Sequence, residues 1–532
     1  MDPITIQPVP PTMSMTKETA TQLDHVEDST KDQALFDEET KREHEQTFRA
    51  ALRDERGVIL WATVFAAAAL SWGFDAQVNG AAISVNSFRR DFGYMYEGQA
   101  VLPANWQTAF NVMSSVGQFF GGLSSGYVAD RIGRKWCMWY GSWLLMAGIA
   151  MEVAASTRPV FLIAKLILGF ALGFYLSMAP AYCSEISPVV LRGITTCGVS
   201  LAIVIGQLLS NAVIKAFGER PDRWAYRAPF CIQFLLPAVL IVVLPFAPES
   251  PWYLVRRGNL EGAAASLQRL HGKGRDIGPR LAQIQRTLKL ESELYAQATW
   301  ADCFRGVDAR RTMITLGAFC CQHLSGIIFV LGYSTYFFQL AGLPTSQTFS
   351  LGVGVTACGV AGNISSWWLV NSAGRRIVTL AGMAVLTVML ALIGVMDVVP
   401  TAAAQWVQSS LTVIYAYVWF LTIGAMGYVI LGEASSPRLR SRTIGLTTVV
   451  QSLWGLIMNF AIPYLVNPDE ANLKGKVGFI FGATSLMCTI WVYFCVPEFK
   501  GLTFSEIDER FKKGVPARKF MEYKGDSEAP SA

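Results

Sequence analysis

Apolar stretches of about 20 residues recur from Val58 to Pro497, separated by short polar breaks. At about 1.5 Å per residue, each stretch as a helix covers the roughly 30 Å of hydrocarbon in a bilayer. About twelve are legible, which points to an all-α membrane protein of twelve transmembrane helices. Of the 532 residues, 52% are hydrophobic and only 16% charged, with a mean hydropathy of +0.35, so a soluble reading would need an implausibly large core.

Apolar run and flanking charge place the spans near 58–84, 105–129, 137–155, 160–181, 194–217 and 227–247, then 312–340, 346–370, 377–397, 409–432, 443–466 and 476–497. The expected organisation is a disordered cytosolic tail (1–57), a six-helix bundle (58–248), a cytosolic linker (249–311), a second bundle (312–497) and a cytosolic tail (498–532). The linker carries helical periodicity in Leu260, Ala264, Leu267 and Leu270, and again in Leu281, Ile284, Leu288 and Leu290, which predicts short amphipathic helices. The first 56 residues are polar and lack the apolar core of a signal peptide.

Lys and Arg concentrate in alternate connections: Arg131, Arg134 and Lys135; Arg192; Arg256 to Arg311; Arg375 and Arg376; and Arg438, Arg440 and Arg442. The positive-inside rule makes these loops and both termini cytosolic. The net charge of +5 is spread over loops instead of gathered into a basic stripe with interleaved aromatics, which argues against nucleic acid as a partner. The cysteines sit mostly in apolar stretches, as buried thiols do, and no metal-ligand spacing stands out.

The two halves repeat. Asp130–Lys135 after the second span is echoed by Asn371–Arg376 after the eighth, and Glu185–Arg192 after the fourth by Glu433–Arg440 after the tenth. Two parallel six-helix bundles related by pseudo-symmetry produce such an echo.

Further motifs run along the chain: Gly73-Phe74-Asp75 with Gly80, Pro248-Glu249-Ser250-Pro251, Gln322-His323-Leu324-Ser325-Gly326 and Pro497-Glu498-Phe499-Lys500-Gly501. With the Asp-Arg-x-Gly-Arg-Lys loop they resemble the sugar-porter branch of the major facilitator superfamily. Asp302–Gly306, Gly332–Phe338 and Ile462–Pro468 further resemble fungal maltose and α-glucoside permeases. The resemblance implies the major facilitator fold, alternating access at a central cavity, and a multi-pass protein of the plasma membrane. Its partners would be a sugar or glycoside, protons and the lipid bilayer, with no cofactor.

Asp75 is the most informative residue, because an ionisable side chain inside a span is costly and is a functional candidate by default. In proton-coupled sugar porters the matching aspartate has an arginine partner on the fourth span. Lys165 stands there in this chain, a point charge without arginine's planar fork. A structural ion pair is the alternative reading.

For the substrate, hydroxyls taken from water need hydrogen-bonding side chains beside aromatic faces. The resemblance assigns Gln322, His323 and Tyr333 on the seventh span, Ser200 on the fifth in place of a glutamine, and Tyr428 on the tenth in place of a tryptophan. Ile328 and Gly359 stand where hexose porters often carry asparagine, which favours a disaccharide, a glycoside or a less polar solute over glucose. Asn363 and Trp454 are further candidate contacts, with helix packing as the bland alternative.

At the cytoplasmic ends, Asp130, Glu185, Glu249 and Glu433 stand opposite Arg134, Arg192, Arg375 and Arg440. These are expected to latch the inner gate through charge-assisted bonds. The sequence lacks a Gly-rich phosphate loop ending in Lys-Ser/Thr, a nucleophile elbow and a His-Glu-x-x-His pattern, so neither an enzyme nor an ATP-driven pump is expected. The leading expectation is proton-coupled sugar transport. The alternatives are an uncoupled facilitator, a carrier or exporter of a non-sugar metabolite, and a sensor that binds without transporting.

Overall fold

Hydrocarbon offers the backbone no hydrogen-bond partners, so a chain of apolar stretches must close its bonds within helices. The computed structural model describes residues 48–523, apart from 97, 273–275, 297–298, 341, 400, 437–438 and 503. Most of the N-terminal tail, residues 1–47, lies outside the described residues, as do 524–532 at the C-terminus.

The first bundle contains α1 (Arg56–Ile83), α2 (Ala104–Ile132), α3 (Arg134–Ala154), α4 (Arg158–Ile186), α5 (Val189–Phe217) and α6 (Trp224–Phe246). The second contains α7 (Gly306–Gly332), α8 (Thr345–Ser372), α9 (Arg375–Val398), α10 (Ala402–Ala434), α11 (Arg440–Val466) and α12 (Val477–Cys495). Eleven of these are apolar and long enough to cross a membrane on composition alone. The twelfth, α2, is diluted by Gln107, Asn111, Ser114, Ser115 and Gln118, and it spends that polarity on contacts inside the protein.

Within the first bundle α2 packs on α4 and α1 on α5; in the second α8 packs on α10 and α9 on α12. Three seams join the bundles: α5 with α8, α2 with α11, and α1 with α7. Both described chain ends lie on one face of the molecule, termed here the terminal face, because α1 starts there and α12 ends there. The opposite face, termed the far face, carries a short hairpin, Tyr94–Tyr96 paired antiparallel with Gln99–Val101.

The linker forms helices at Pro251–Arg256, Leu260–His271 and Gly278–Ala296. Of the residues in the expected stripes, Leu267, Leu270 and Ile284 are buried, Ala264, Leu281 and Leu288 are half-buried, and Leu260, at the first turn of its helix, is exposed. The segment after α12 is more than a tail. Helix Phe504–Lys512 docks through Ile507 and Phe511, with Phe499 and Phe520 beside them, and Asp508 accepts a 2.5 Å bond from Arg311.

The seventh and tenth spans, which read as continuous in sequence, are broken at residues the chain holds in place. In α7, Gly326 adopts a left-handed φ of 85°, where a Cβ would also strike the Phe481 ring. The carbonyls released there are recovered by side chains: Tyr415 bonds Ser325 O at 2.5 Å and Thr484 bonds Leu324 O at 2.7 Å. In α10 the turn falls at Thr422, and the Gln322 amide donates to the carbonyls of Ile423 (3.0 Å) and Gly424 (3.2 Å). Each break is held by a residue of the other helix.

Candidate functional site

Between the bundles, bonds across the seams gather on the far face. Gln77 of α1 donates to Leu331 O at 2.8 Å, and Asn111 of α2 donates to the Tyr333 hydroxyl at 2.6 Å. Asn467, at the end of α11, ties four points: it donates to Leu102 O (2.9 Å) and Asp469 (2.7 Å) and accepts from Gln107 (2.7 Å) and Tyr336 (3.1 Å). Gly80 lets α1 approach α7 so closely that a Cβ there would lie 1.6 Å from Gly332 O. The far face is therefore shut.

Directly beneath this closure lies the charged site. Lys165 Nζ of α4 pairs with Asp75 Oδ1 of α1 at 3.2 Å, and both side chains are at most 1% exposed. A second carboxylate, Glu152 of α3, pairs with the same ammonium in a still closer contact. Gln233 of α6 donates to Glu152 Oε2 at 3.4 Å, and Asn79 of α1 to Asp75 Oδ2 at 3.5 Å. The ammonium also stands 5.3 Å from the Phe161 ring and 5.5 Å from that of Phe230. These rings belong to an aromatic cluster with Phe88, Phe92, Phe110 and Tyr226. A small cavity lined by Asn79, Gln107, Asn111, Phe88, Phe110 and Phe161 adjoins it.

The expected substrate residues divide into three groups. Ser200 and Asn363 meet across the α5–α8 seam at 3.2 Å, and the buried Asn363 Oδ1 finds no partner among the described residues. Tyr428 is 56% exposed between the edge of Phe319, 5.2 Å away, and a hydrogen bond with Gln451. The remaining four are engaged within the protein: Gln322 at the α10 break, His323 Nδ1 with Phe319 O of its own helix (3.1 Å), Tyr333 with Asn111, and Trp454 with Cys320 Sγ (3.1 Å). Gln207 of α5, absent from the sequence-based set, also carries a buried acceptor without a partner among the described residues.

On the terminal face the expected latch residues form two matching clusters, and their described pairs lie within one bundle each. Arg134 pairs with Glu185 at 3.1 Å and with Asp130 at 3.4 Å, while Glu249 accepts the backbone N–H groups of Arg134 (2.9 Å) and Lys135 (3.3 Å). Burial pushes the Glu249 carboxyl above its ordinary range, and those N–H bonds pull it part of the way back. In the second bundle Arg375 pairs with Glu433 at 2.8 Å, and Glu498 accepts from the N–H groups of Arg375 (2.7 Å) and Arg376 (3.1 Å). Arg440 donates to Gly432 O at 2.5 Å, and the Arg192 side chain lies outside the described residues.

Glu498 thus repeats Glu249, as the echo of Pro248-Glu249 in Pro497-Glu498 would have signalled. Glu152 was legible by the rule that singled out Asp75, an ionisable residue in an apolar run, but it stands near a span end, where carboxylates commonly flank. Asn111 carries no such signal, and although Asn467 lies in the Ile462–Pro468 motif, its bonds to Leu102 and Gln107 of the first bundle leave no mark in the sequence.

A family model described as "Sugar (and other) transporter" matches residues 61–511. The chain belongs to that family. It is 30% identical to the general alpha-glucoside permease of Saccharomyces cerevisiae over 95% of this chain and 86% of the relative, and 28% identical to the same organism's maltose permease MAL31 over 93% and 82%. Among solved structures, the inward-open xylose transporter XylE from E. coli superposes with a TM-score of 0.68 at 21% identity, covering 85% of this chain and 99% of that one. This family member has the major facilitator fold, and its relatives are permeases and not enzymes.

Proposed function

We propose that this protein carries an α-glucoside or related sugar across the plasma membrane by alternating access, with both termini in the cytosol and transport coupled to protons through Asp75. With the termini inside, the far face is extracellular, and the arrangement described is the inward-facing one. The observation that carries the reading is the Asp75–Lys165 pair, sealed from water directly beneath a closed outer gate. A buried carboxylate is held there only by its partners, so opening that gate changes both its hydration and its proton affinity.

The permease relatives support a glucoside over other solutes. Ser200, Asn363, Gln207 and Tyr428 are proposed to meet the sugar, the first three because they offer polar atoms at the seam and the last because it presents an open aromatic face. Gln322, His323, Tyr333 and Trp454 are proposed to shape that site from behind. The two charge clusters, including Arg192 and Arg440, are proposed to brace the helix ends that part when the inner gate opens.

The test is uptake of labelled maltose and glucose by transporter-deficient yeast expressing this chain, at acidic and neutral external pH, with and without a protonophore. Accumulation of maltose that the protonophore abolishes is expected. Equilibration insensitive to the protonophore would make the protein a facilitator. The absence of uptake by a chain present at the cell surface would overturn the glucoside reading.

A further inference from the structure

Lys165 sits between two carboxylates, and the three groups share a pocket in which none is more than 1% exposed. With all three ionised the pocket would carry a net charge of −1 in a medium that tolerates none well. One bound proton makes it neutral, so the question is which carboxylate holds it. Glu152 has the closer contact with the ammonium, and its other oxygen accepts from Gln233. Asp75 stands at 3.2 Å, and its free oxygen turns to Asn79, which lines the small cavity beneath the outer gate. A proton in that cavity reaches Asp75 by way of Asn79, whereas Glu152 is held by the lysine and Gln233.

We propose that Glu152 is the standing counter-ion of Lys165, and that by absorbing the lysine's charge it leaves Asp75 free to take up and release the transported proton. Lysine paired with Asp75 alone would hold that carboxylate ionised throughout the cycle and uncouple transport. The charged groups facing Asp75 are Lys165 from α4 and Glu152 from α3. Gln233 from α6, with Asn111 and Gln107 from α2, contributes only neutral polarity, and Arg158, two turns before Lys165, is engaged with the carbonyls of Phe92 and Gly93. Glu152 is thus a positioning residue for the proton step, and this inference rests on the proton-coupled reading above.

The test uses the full chain in proteoliposomes with labelled maltose, scoring pH-driven accumulation, its dependence on external pH, and counterflow as the check that each variant is folded and inserted. Glu152→Gln should move the half-maximal external pH downward by about one unit or more and cut accumulation at neutral pH about tenfold. Glu152→Asp should recover most of the wild-type profile. The double variant Glu152→Gln with Lys165→Met removes the cation together with its counter-ion and should bring the profile back close to wild type.

An unchanged pH profile in a counterflow-competent Glu152→Gln protein would overturn the inference while leaving proton coupling intact. If Glu152→Gln does not fold, a double variant whose profile moves to higher pH by more than about one unit would overturn it equally, because Lys165 alone would then have been setting Asp75. Wild-type entry of maltose that ignores the protonophore would sink the coupled reading itself, and the inference with it.

Discussion

At the scale of single residues, burial decides what each charge can do. Asp75 and Lys165 pair where neither meets water, and removing one partner of such a pair strands the other at a cost of about 3–5 kcal/mol. Asp75→Asn keeps the shape but removes the titratable group. It should abolish protonophore-sensitive maltose accumulation while some counterflow remains, and uphill accumulation by this variant would exclude Asp75 as the proton carrier. Asn363 presents the seam with an unsatisfied acceptor, so Asn363→Ala should raise the KM for maltose by about fivefold, the worth of one hydrogen bond of about 1 kcal/mol. Uptake kinetics with an unchanged KM would remove Asn363 from the site. Asp75 was legible because a charge inside an apolar run is costly and so stands out from its neighbours. The missing partner of Asn363 Oδ1 is a fact of packing that no sequence pattern carries.

At the scale of helices, the informative features are the places where α7 and α10 stop being regular. Gly326→Ala would force a left-handed residue, costing about 1–2 kcal/mol, and would press its methyl on Phe481. A lower melting temperature in detergent and less protein at the cell surface are expected. The helix Phe504–Lys512 is held by Arg311 and by the pair of Asp508 with Lys512 at 2.7 Å. Burial alone would raise the Asp508 carboxyl, but the bonds from Lys512 and Arg311 win and hold it below the ordinary aspartate value of 3.8. A depressed carboxylate contributes its stability above its unfolded value and loses it as pH falls through the folded one. Limited proteolysis should therefore find this helix equally protected from pH 5 to 8 and released only in acid below about pH 4. Release between pH 5 and 8 would mean that another group governs docking. Helix existence was readable from apolar runs, whereas the breaks were not. Gly326 closes a motif, but only its left-handed conformation and the Tyr415 and Thr484 side chains reveal the break there.

At the scale of the whole molecule, closing the far face depends on how near α1 comes to α7. Gly80→Val places a side chain where Gly332 O already stands, so this face should fail to shut. Uptake should fall at least tenfold, and a cysteine placed at Asn111 should become reactive to a membrane-impermeant maleimide added outside. Unchanged labelling and uptake would place the gate elsewhere. The sequence by itself determined the twelve spans, their division into two repeated bundles, the amphipathic linker and the position of one intramembrane acid, because hydrocarbon length, period and charge are local properties of the chain. Tertiary structure alone decided that Lys165 answers to two carboxylates, that Asn467 knots the far face, and that the segment after α12 docks under Arg311. Each of these brings together residues from separate helices or bundles, and a partner far along the chain leaves no mark on the local pattern.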